Sequence, residues 1–301
     1  QIVDDALQQC SNENFEVKNV FVFEHVKDKQ SNMQQNRDVW VEKLMPKQPS
    51  YCPCEMVNSE DPLFVIYTSG STGKPKGLVH ASGGYLVYAS ATQKFIFDFD
   101  PASDRFGCTA DIGWITGHTY VVYGPLANGG STLLFDSVPT YPTPSRYWNT
   151  VDKLGITHLY TAPTIVRMLK KYGTQPLEGF SLSSLRVLGS VGEPINDEAW
   201  IWFYKHVGRE KCHLVDTYWQ SETGGILISG FAGVSDMIPS YSASSFFGHS
   251  LEVTHNDDLS EGGKLGMKKP WPGMAKTILN NHEFFVKNYF SECSAYLTGD
   301  A

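Results

Sequence analysis

The densest chemical signal in the sequence is Tyr67-Thr68-Ser69-Gly70-Ser71-Thr72-Gly73-Lys74-Pro75-Lys76-Gly77, which directly follows an apolar run over 63–67. Glycines let the backbone turn tightly and aim N–H groups at an anion, hydroxyls add donors, and lysines add compact positive charge. That combination suits a polyphosphate. A flexible Ser/Gly linker has no use for two lysines fixed beside its turn. A Walker loop requires Gly, four residues, then Gly-Lys-Ser/Thr at the start of a helix. Here Pro75 follows Gly73-Lys74 and the preceding glycine is three positions back, so both the spacing and the helix start fail.

Two patterns that begin like metal sites do not complete. His282-Glu283 opens like a zincin helix, but Val286 stands where the second histidine belongs. Cys52-Pro53-Cys54 is one residue tighter than zinc spacing and has no second ligand pair nearby. The six cysteines are dispersed without a secretory context and read as reduced thiols. The compartment expected is a reducing one, the cytoplasm first, with nucleus and mitochondrial matrix left open.

The elements that must position the loop follow from length and pattern. A chain of 301 residues with 41% hydrophobic and 13% aromatic content suffices for one or two packed domains and excludes a disordered chain. A formal charge of -8 argues against a general grip on nucleic acid or on an anionic membrane, so any anion site is local. No apolar run approaches the roughly 20 residues of a membrane-spanning helix. The spacing predicts a strand over 17–23, an exposed polar loop over 28–38 and a linker over 46–62. From 63 onward apolar runs and amphipathic segments alternate: strand 63–67, turn 68–77, amphipathic 82–97, short run 106–109, helix 118–127, strand 131–135, helix 145–154, strand 157–160, helix 163–172, strand 185–189, helix 197–207 and strand 213–218. Such alternation implies crossovers and a mainly parallel sheet with flanking helices, an α/β fold. In the helix over 197–207, Trp200, Phe203, Tyr204 and Val207 share a face, with Asn196 placed to cap it. Beyond 230 short β-like runs such as 250–254 and 274–279 suit an antiparallel or barrel-like portion. The domain reading is an α/β core over 1–230 and a β-rich portion of the same domain over 231–301.

The glycine-rich loop and five further segments together resemble the acyl-adenylate-forming superfamily, and within it the AMP-forming acetyl-CoA synthetase family. The five are Thr109-Ala110-Asp111-Ile112-Gly113-Trp114-Ile115-Thr116-Gly117-His118, Tyr160-Thr161-Ala162-Pro163-Thr164, Gly189-Ser190-Val191-Gly192-Glu193-Pro194-Ile195-Asn196, Asp216-Thr217-Tyr218-Trp219-Gln220-Ser221-Glu222-Thr223-Gly224-Gly225 and Tyr296-Leu297-Thr298-Gly299-Asp300. Motifs in a shared order are far more specific than any one of them. The fold implied is part of the large N-terminal domain of such enzymes. The activity implied is activation of acetate by ATP to acetyl-AMP and pyrophosphate, then transfer of the acetyl group to CoA, with ATP and Mg²⁺ as cofactors and CoA as co-substrate. A noncatalytic nucleotide-binding module and a ligase for another short acid such as propionate are the alternatives.

The resemblance implies roles residue by residue. Thr68, Ser69, Gly70, Ser71, Thr72, Gly73, Lys74 and Lys76 would hold the β- and γ-phosphates. The backbone of Gly192, Glu193 and Pro194 would line the adenine. Asp216, Thr217, Tyr218, Trp219, Gln220 and Ser221 would border its other side and reach the α-phosphate, with Ser221 standing where relatives commonly carry Thr. Asp300 would accept the ribose hydroxyls and Glu222 would bind Mg²⁺. Trp114, Thr116, Val191 and Trp219 match the acetate pocket, where Trp219 would leave room for a methyl group alone. Thr116 and Thr140 would face CoA, although Thr140 stands where the family tends to have Asn.

The chain starts on Gln1 rather than Met and stops at Ala301, where the family's hinge and small mobile domain are expected to begin. The resembled enzyme's adenylation lysine has no counterpart in these residues, so no catalytic side chain is assigned. The isolated 301 residues are expected to be inactive or severely impaired.

Overall fold

The computed structural model describes residues 2–25, 32–69, 75–136, 138–242, 244–255, 263–290 and 295–300. The chain divides into two compact units, 1–56 and 57–301, with the break inside the segment read as a linker. The first unit holds helix α1 (Ile2–Asn12), strands β1 (Val20–Val22) and β2 (Asp38–Trp40) in a parallel pair, and helix α2 (Val41–Leu44). The predicted strand over 17–23 thus shortens to three residues, and Asp38 lies in a strand rather than a loop.

In the second unit, β3 (Pro62–Thr68) and β4 (Lys76–Ala81) form an antiparallel pair with Thr68 opposite Lys76. The predicted turn over 68–77 is therefore narrower, because both its flanks are paired in extended backbone. Helix α3 (Ser82–Ile96) follows, then β5 (Arg105–Cys108), a continuous helical stretch of α4 (Ile115–Gly117), a π-helical His118–Tyr123 and α5 (Gly124–Ala127), and β6 (Ser131–Thr132). Next come α6 (Arg146–Leu154), β7 (His158–Thr161), α7 (Pro163–Lys170), β8 (Val187–Ser190), α8 (Asp197–Trp202) continuing as a π turn over Phe203–Val207, and β9 (His213–Tyr218). β10 (Ile228–Ser229), β11 (Ser244–Ser245), β12 (Leu251–His255), β13 (Gly263–Met267), β14 (Thr277–Ile278), α9 (His282–Phe290) and β15 (Tyr296–Leu297) complete the order.

The main sheet has seven strands in the order β11-β10-β9-β8-β7-β5-β6. Its five strands from β6 to β9 are parallel, and β10 and β11 add antiparallel at one edge. β7 and β8 are buried at every position, as strands covered on both faces must be. Alternate residues feed two cores. Val187 and Val215 join Tyr85, Tyr88 and Ile96 of α3 on one face. Leu188 and Leu214 join Trp148 of α6, Val166 and Leu169 of α7 and Trp200 of α8 on the other. Helices on both faces of a mainly parallel sheet are the expected α/β architecture. Two antiparallel three-stranded sheets, β12-β13-β15 and β14-β4-β3, accompany it.

Three local expectations need correction. The strand over 131–135 is two residues long. Asn196 occupies the helix-capping position in extended backbone, but its side chain makes no capping hydrogen bond. Residues 282–290, within the portion read as β-rich, form a helix whose Phe285 and Tyr289 are buried one turn apart. Cys10, Cys52, Cys54, Cys108 and Cys212 are free thiols. No helix among the described residues is long and apolar enough to cross a membrane.

Candidate active site

The carboxyl ends of β7, β8 and β9 finish in register, with Thr161 opposite Ser190 and Ser190 opposite Asp216. In open parallel sheets this edge is where loops converge on a ligand. Thr109, just past β5, joins them through its hydroxyl, 2.7 Å from that of Thr161.

Beyond β8, the Val191 N–H donates to the Thr161 carbonyl at 3.2 Å, and Gly192 takes φ +93°, a region that disfavours any side chain. The Glu193 carboxylate reaches α7. It accepts the Thr164 N–H at 2.7 Å, the Thr164 hydroxyl, and Arg167 at 2.9 Å. Thr164 lies in the first turn of α7, where an N–H lacks an intrahelical partner, so Glu193 caps that helix from another loop. These donors, the Thr164 hydroxyl foremost, hold the Glu193 carboxyl below its usual range. The backbone over 192–194 is thereby tied to α7.

At the end of β9, burial pushes the Asp216 carboxyl up to about 6, with the Ser190 hydroxyl and the Thr217 N–H opposing the rise. The Thr217 hydroxyl donates to the Ser190 carbonyl at 2.7 Å and also meets the Tyr160 phenol at 2.7 Å. Trp219 donates its indole N–H to that phenol at 3.3 Å and stands edge-on to Tyr120 with centroids 5.3 Å apart. Trp219 packs against the same apolar cluster that contains the buried Val191.

A second group forms where β9 meets the end of the chain. Asp300 Oδ2 accepts the Tyr218 phenol at 2.5 Å and the Gln220 amide at 2.9 Å. Gln220 also donates to the Thr298 carbonyl and accepts the Tyr296 phenol, both at 2.9 Å. Three residues assigned to the nucleotide from the sequence, Tyr218, Gln220 and Asp300, are thus in direct contact.

A third group surrounds Glu222. The Lys76 ammonium lies 2.9 Å from Glu222 Oε1. The Tyr289 phenol accepts from Lys76 and donates to the same carboxylate oxygen. The Ser221–Thr223 turn carrying Glu222 is held unusually firmly. Nε2 of His80 contacts the Ser221 carbonyl at 2.8 Å, and the Ala275 N–H donates to the Glu222 carbonyl at 2.8 Å. The Trp271 indole donates to the Thr223 carbonyl at 2.9 Å, and the Thr119 hydroxyl to the Gly224 carbonyl at 3.1 Å. The four successive carbonyls therefore take their partners from three distant segments, around His80, Thr119 and Trp271–Ala275. Burial pushes His80 down to about 4, so its ring is neutral at neutral pH.

Other sequence-assigned residues either fall outside the described residues or have other surroundings. Gly70, Ser71, Thr72, Gly73 and Lys74 fall outside them. Thr68 ends β3 with its hydroxyl buried and without a partner among the described residues, and Ser69 is exposed. Trp114 is 73% exposed just before α4, where its carbonyl accepts the His118 N–H. Thr116 in α4 and Thr140 in the turn after β6 are half-buried. Tyr289, His80 and Trp271 around Glu222 lie outside the segments singled out in the sequence, and Tyr296, which opens one of them, carried no assigned role there. For Tyr289 the signal existed, since Phe285 and Tyr289 are spaced for one helical face.

This sheet edge and these clusters define a class. The chain belongs to the AMP-binding enzyme family, whose family model matches residues 2–278. It is 48% identical over 306 residues to acetyl-coenzyme A synthetase of Coprinopsis cinerea, covering 99% of this chain and 45% of that protein. To the acetyl-coenzyme A synthetase of Xanthobacter autotrophicus it is 50% identical over 274 residues, 89% of this chain and 42% of that protein. To that of Drosophila melanogaster it is 45% identical over 314 residues, 99% of this chain and 47% of that protein. The chain spans less than half the length of these curated relatives.

Proposed function

We propose that this chain carries the nucleotide and acetate half-site of an AMP-forming acetate:CoA ligase. The observation that carries the reading is the gathering of Lys76 with Glu222, and of Tyr218 and Gln220 with Asp300, beside the carboxyl edge of one parallel sheet. In the first step an acetate oxygen attacks the α-phosphorus of ATP and the bond to the bridging oxygen breaks, giving acetyl-AMP and pyrophosphate. In the second, the CoA thiolate attacks the acyl carbon and AMP leaves. Both steps drive negative charge toward negative charge, so fixed cations and donors supply much of the catalysis.

Lys76 and the loop from Thr68 serve the β- and γ-phosphates. Asp300 accepts the ribose hydroxyls, the 192–194 backbone borders the adenine, and the Ser221 hydroxyl reaches toward the α-phosphate. Asp216, Thr217 and Tyr218 shape the adenine's other border. Trp219, locked by Tyr160 and Tyr120, walls the acyl cavity together with Val191, Trp114 and Thr116. Thr116 and Thr140 are the contacts proposed for CoA. Magnesium is usually held by one or two carboxylates plus phosphate oxygens and water rather than by an all-protein cage. Among the described residues no cluster of three His, Cys, Asp or Glu side chains offers a cage; Glu222 offers one carboxylate whose Oε1 is held by Lys76 and Tyr289, and a single carboxylate fits that pattern. Bound there, the ion would neutralise phosphate charge.

Acetate-dependent exchange of labelled pyrophosphate into ATP by the full-length parent tests the proposal, and no exchange with any short acid overturns it. In the same assay Trp219→Gly should raise propionate and butyrate relative to acetate by about 10–200-fold per methylene. The isolated 301 residues should bind nucleotide while turning over slowly or not at all.

A further inference from the structure

Tyr289 bridges the two charged side chains on which the phosphate end of the site depends. Its phenol accepts from the Lys76 ammonium and donates to Glu222 Oε1, while the ammonium sits 4.9 Å from the centroid of its ring. Tyr289 is 4% exposed and belongs to α9, which lies outside every segment assigned to nucleotide or acetate. Its ring also stacks on Tyr296, with centroids 5.4 Å apart and planes 20° from parallel. Tyr296 in turn donates to Gln220, which donates to Asp300. One aromatic pair thus connects the Lys76–Glu222 group with the Asp300 group.

We propose that Tyr289 is a positioning residue for the polyphosphate, fixing Lys76 and Glu222 in one arrangement before the nucleotide arrives. The inference rests on the proposed function, because it takes Lys76 and Glu222 to face the β- and γ-phosphates. A lysine on a four-carbon stem loses considerable rotamer freedom when it grips a phosphate. Holding the ammonium by a phenol and a ring face lowers that loss in advance. The ammonium and carboxylate also pair directly at 2.9 Å, so phenol, ammonium and carboxylate form one closed group. An ammonium with three N–H groups keeps donor capacity for an anion while so held. AMP, which lacks the β- and γ-phosphates, gains nothing from this arrangement.

Calorimetric titration of the 301-residue chain with ATP, inorganic pyrophosphate and AMP, without metal, separates the possibilities. Tyr289→Phe keeps the ring and its stacking on Tyr296 and removes the hydroxyl. It should weaken ATP and pyrophosphate binding about tenfold and leave AMP binding within about twofold, in line with the loss of hydrogen bonds to charged groups. Tyr289→Leu, which also removes the ring, should widen the gap between ATP and AMP further. Equal loss for ATP and AMP, or no change for either, overturns the inference while the functional reading stands. A wild-type chain that binds none of the three overturns both.

Discussion

Asp216 is the residue at which burial and ligand chemistry meet most openly. Its carboxyl rises to about 6 because it is buried, although the Ser190 hydroxyl and the Thr217 N–H favour the ionised form. The folded chain therefore binds a proton more tightly here than the unfolded chain, and this group's contribution to stability falls as pH rises from about 4 to about 6. Asp216→Asn, which cannot ionise, should gain stability relative to the wild type between pH 5 and pH 7.5, read from urea midpoints at the two values. A gap that stays constant with pH would mean that Asp216 carries no raised pKa. At this scale the sequence is most legible where two motif segments meet: Tyr218 and Gln220 of one touch Asp300 of the other, 82 and 80 residues away. Tyr289 is not legible, because it lies in none of the motif segments and only the fold brings it to Glu222 and Lys76.

Among the elements, the Ser221–Thr223 turn is the most constrained. Gly224, which ends it, sits at φ +69°, and a Cβ there would lie 2.1 Å from the Gly273 carbonyl oxygen. Gly224→Ala combines left-handed strain with a backbone clash, and a loss on the order of 3 kcal/mol is expected from urea unfolding. Because the turn carries Glu222, ATP binding should weaken in the same variant. β4 escaped the sequence reading for a related reason. Its residues Lys76 and Gly77 belong by composition to the glycine-rich turn, and only pairing with β3 makes them extended. The long periodic helices and the buried parallel strands, by contrast, were legible to within a few residues, since their apolar spacing is itself the cause of their burial.

For the whole molecule, three histidines, His80 and His158 buried and His249 half-buried, contribute to the response to acid. Burial pushes His80, His158 and His249 each down to about 4, so the fold keeps them neutral while an unfolded chain takes up protons from about pH 6.5. Stability they confer is present above pH 6.5 and is lost as pH falls toward 4. Asp216 acts in the opposite direction but is one group against three. The urea midpoint should drop as pH falls from 6.5 to 4.5, and His158→Gln should make that drop shallower; a midpoint unchanged over this range would contradict the buried neutral state.

The four carbonyls of residues 221–224 also bear on how the molecule assembles. Three of their partners, His80, Thr119 and Trp271, are 141, 105 and 48 residues distant from the carbonyls they meet. Contacts of such separation carry more loop-closure cost than the turns within local helices. A chain with only its local helices formed would still lack a held Glu222. If Glu222 serves the nucleotide as proposed, a ligand-binding signal during refolding should mark completion of the native state rather than collapse.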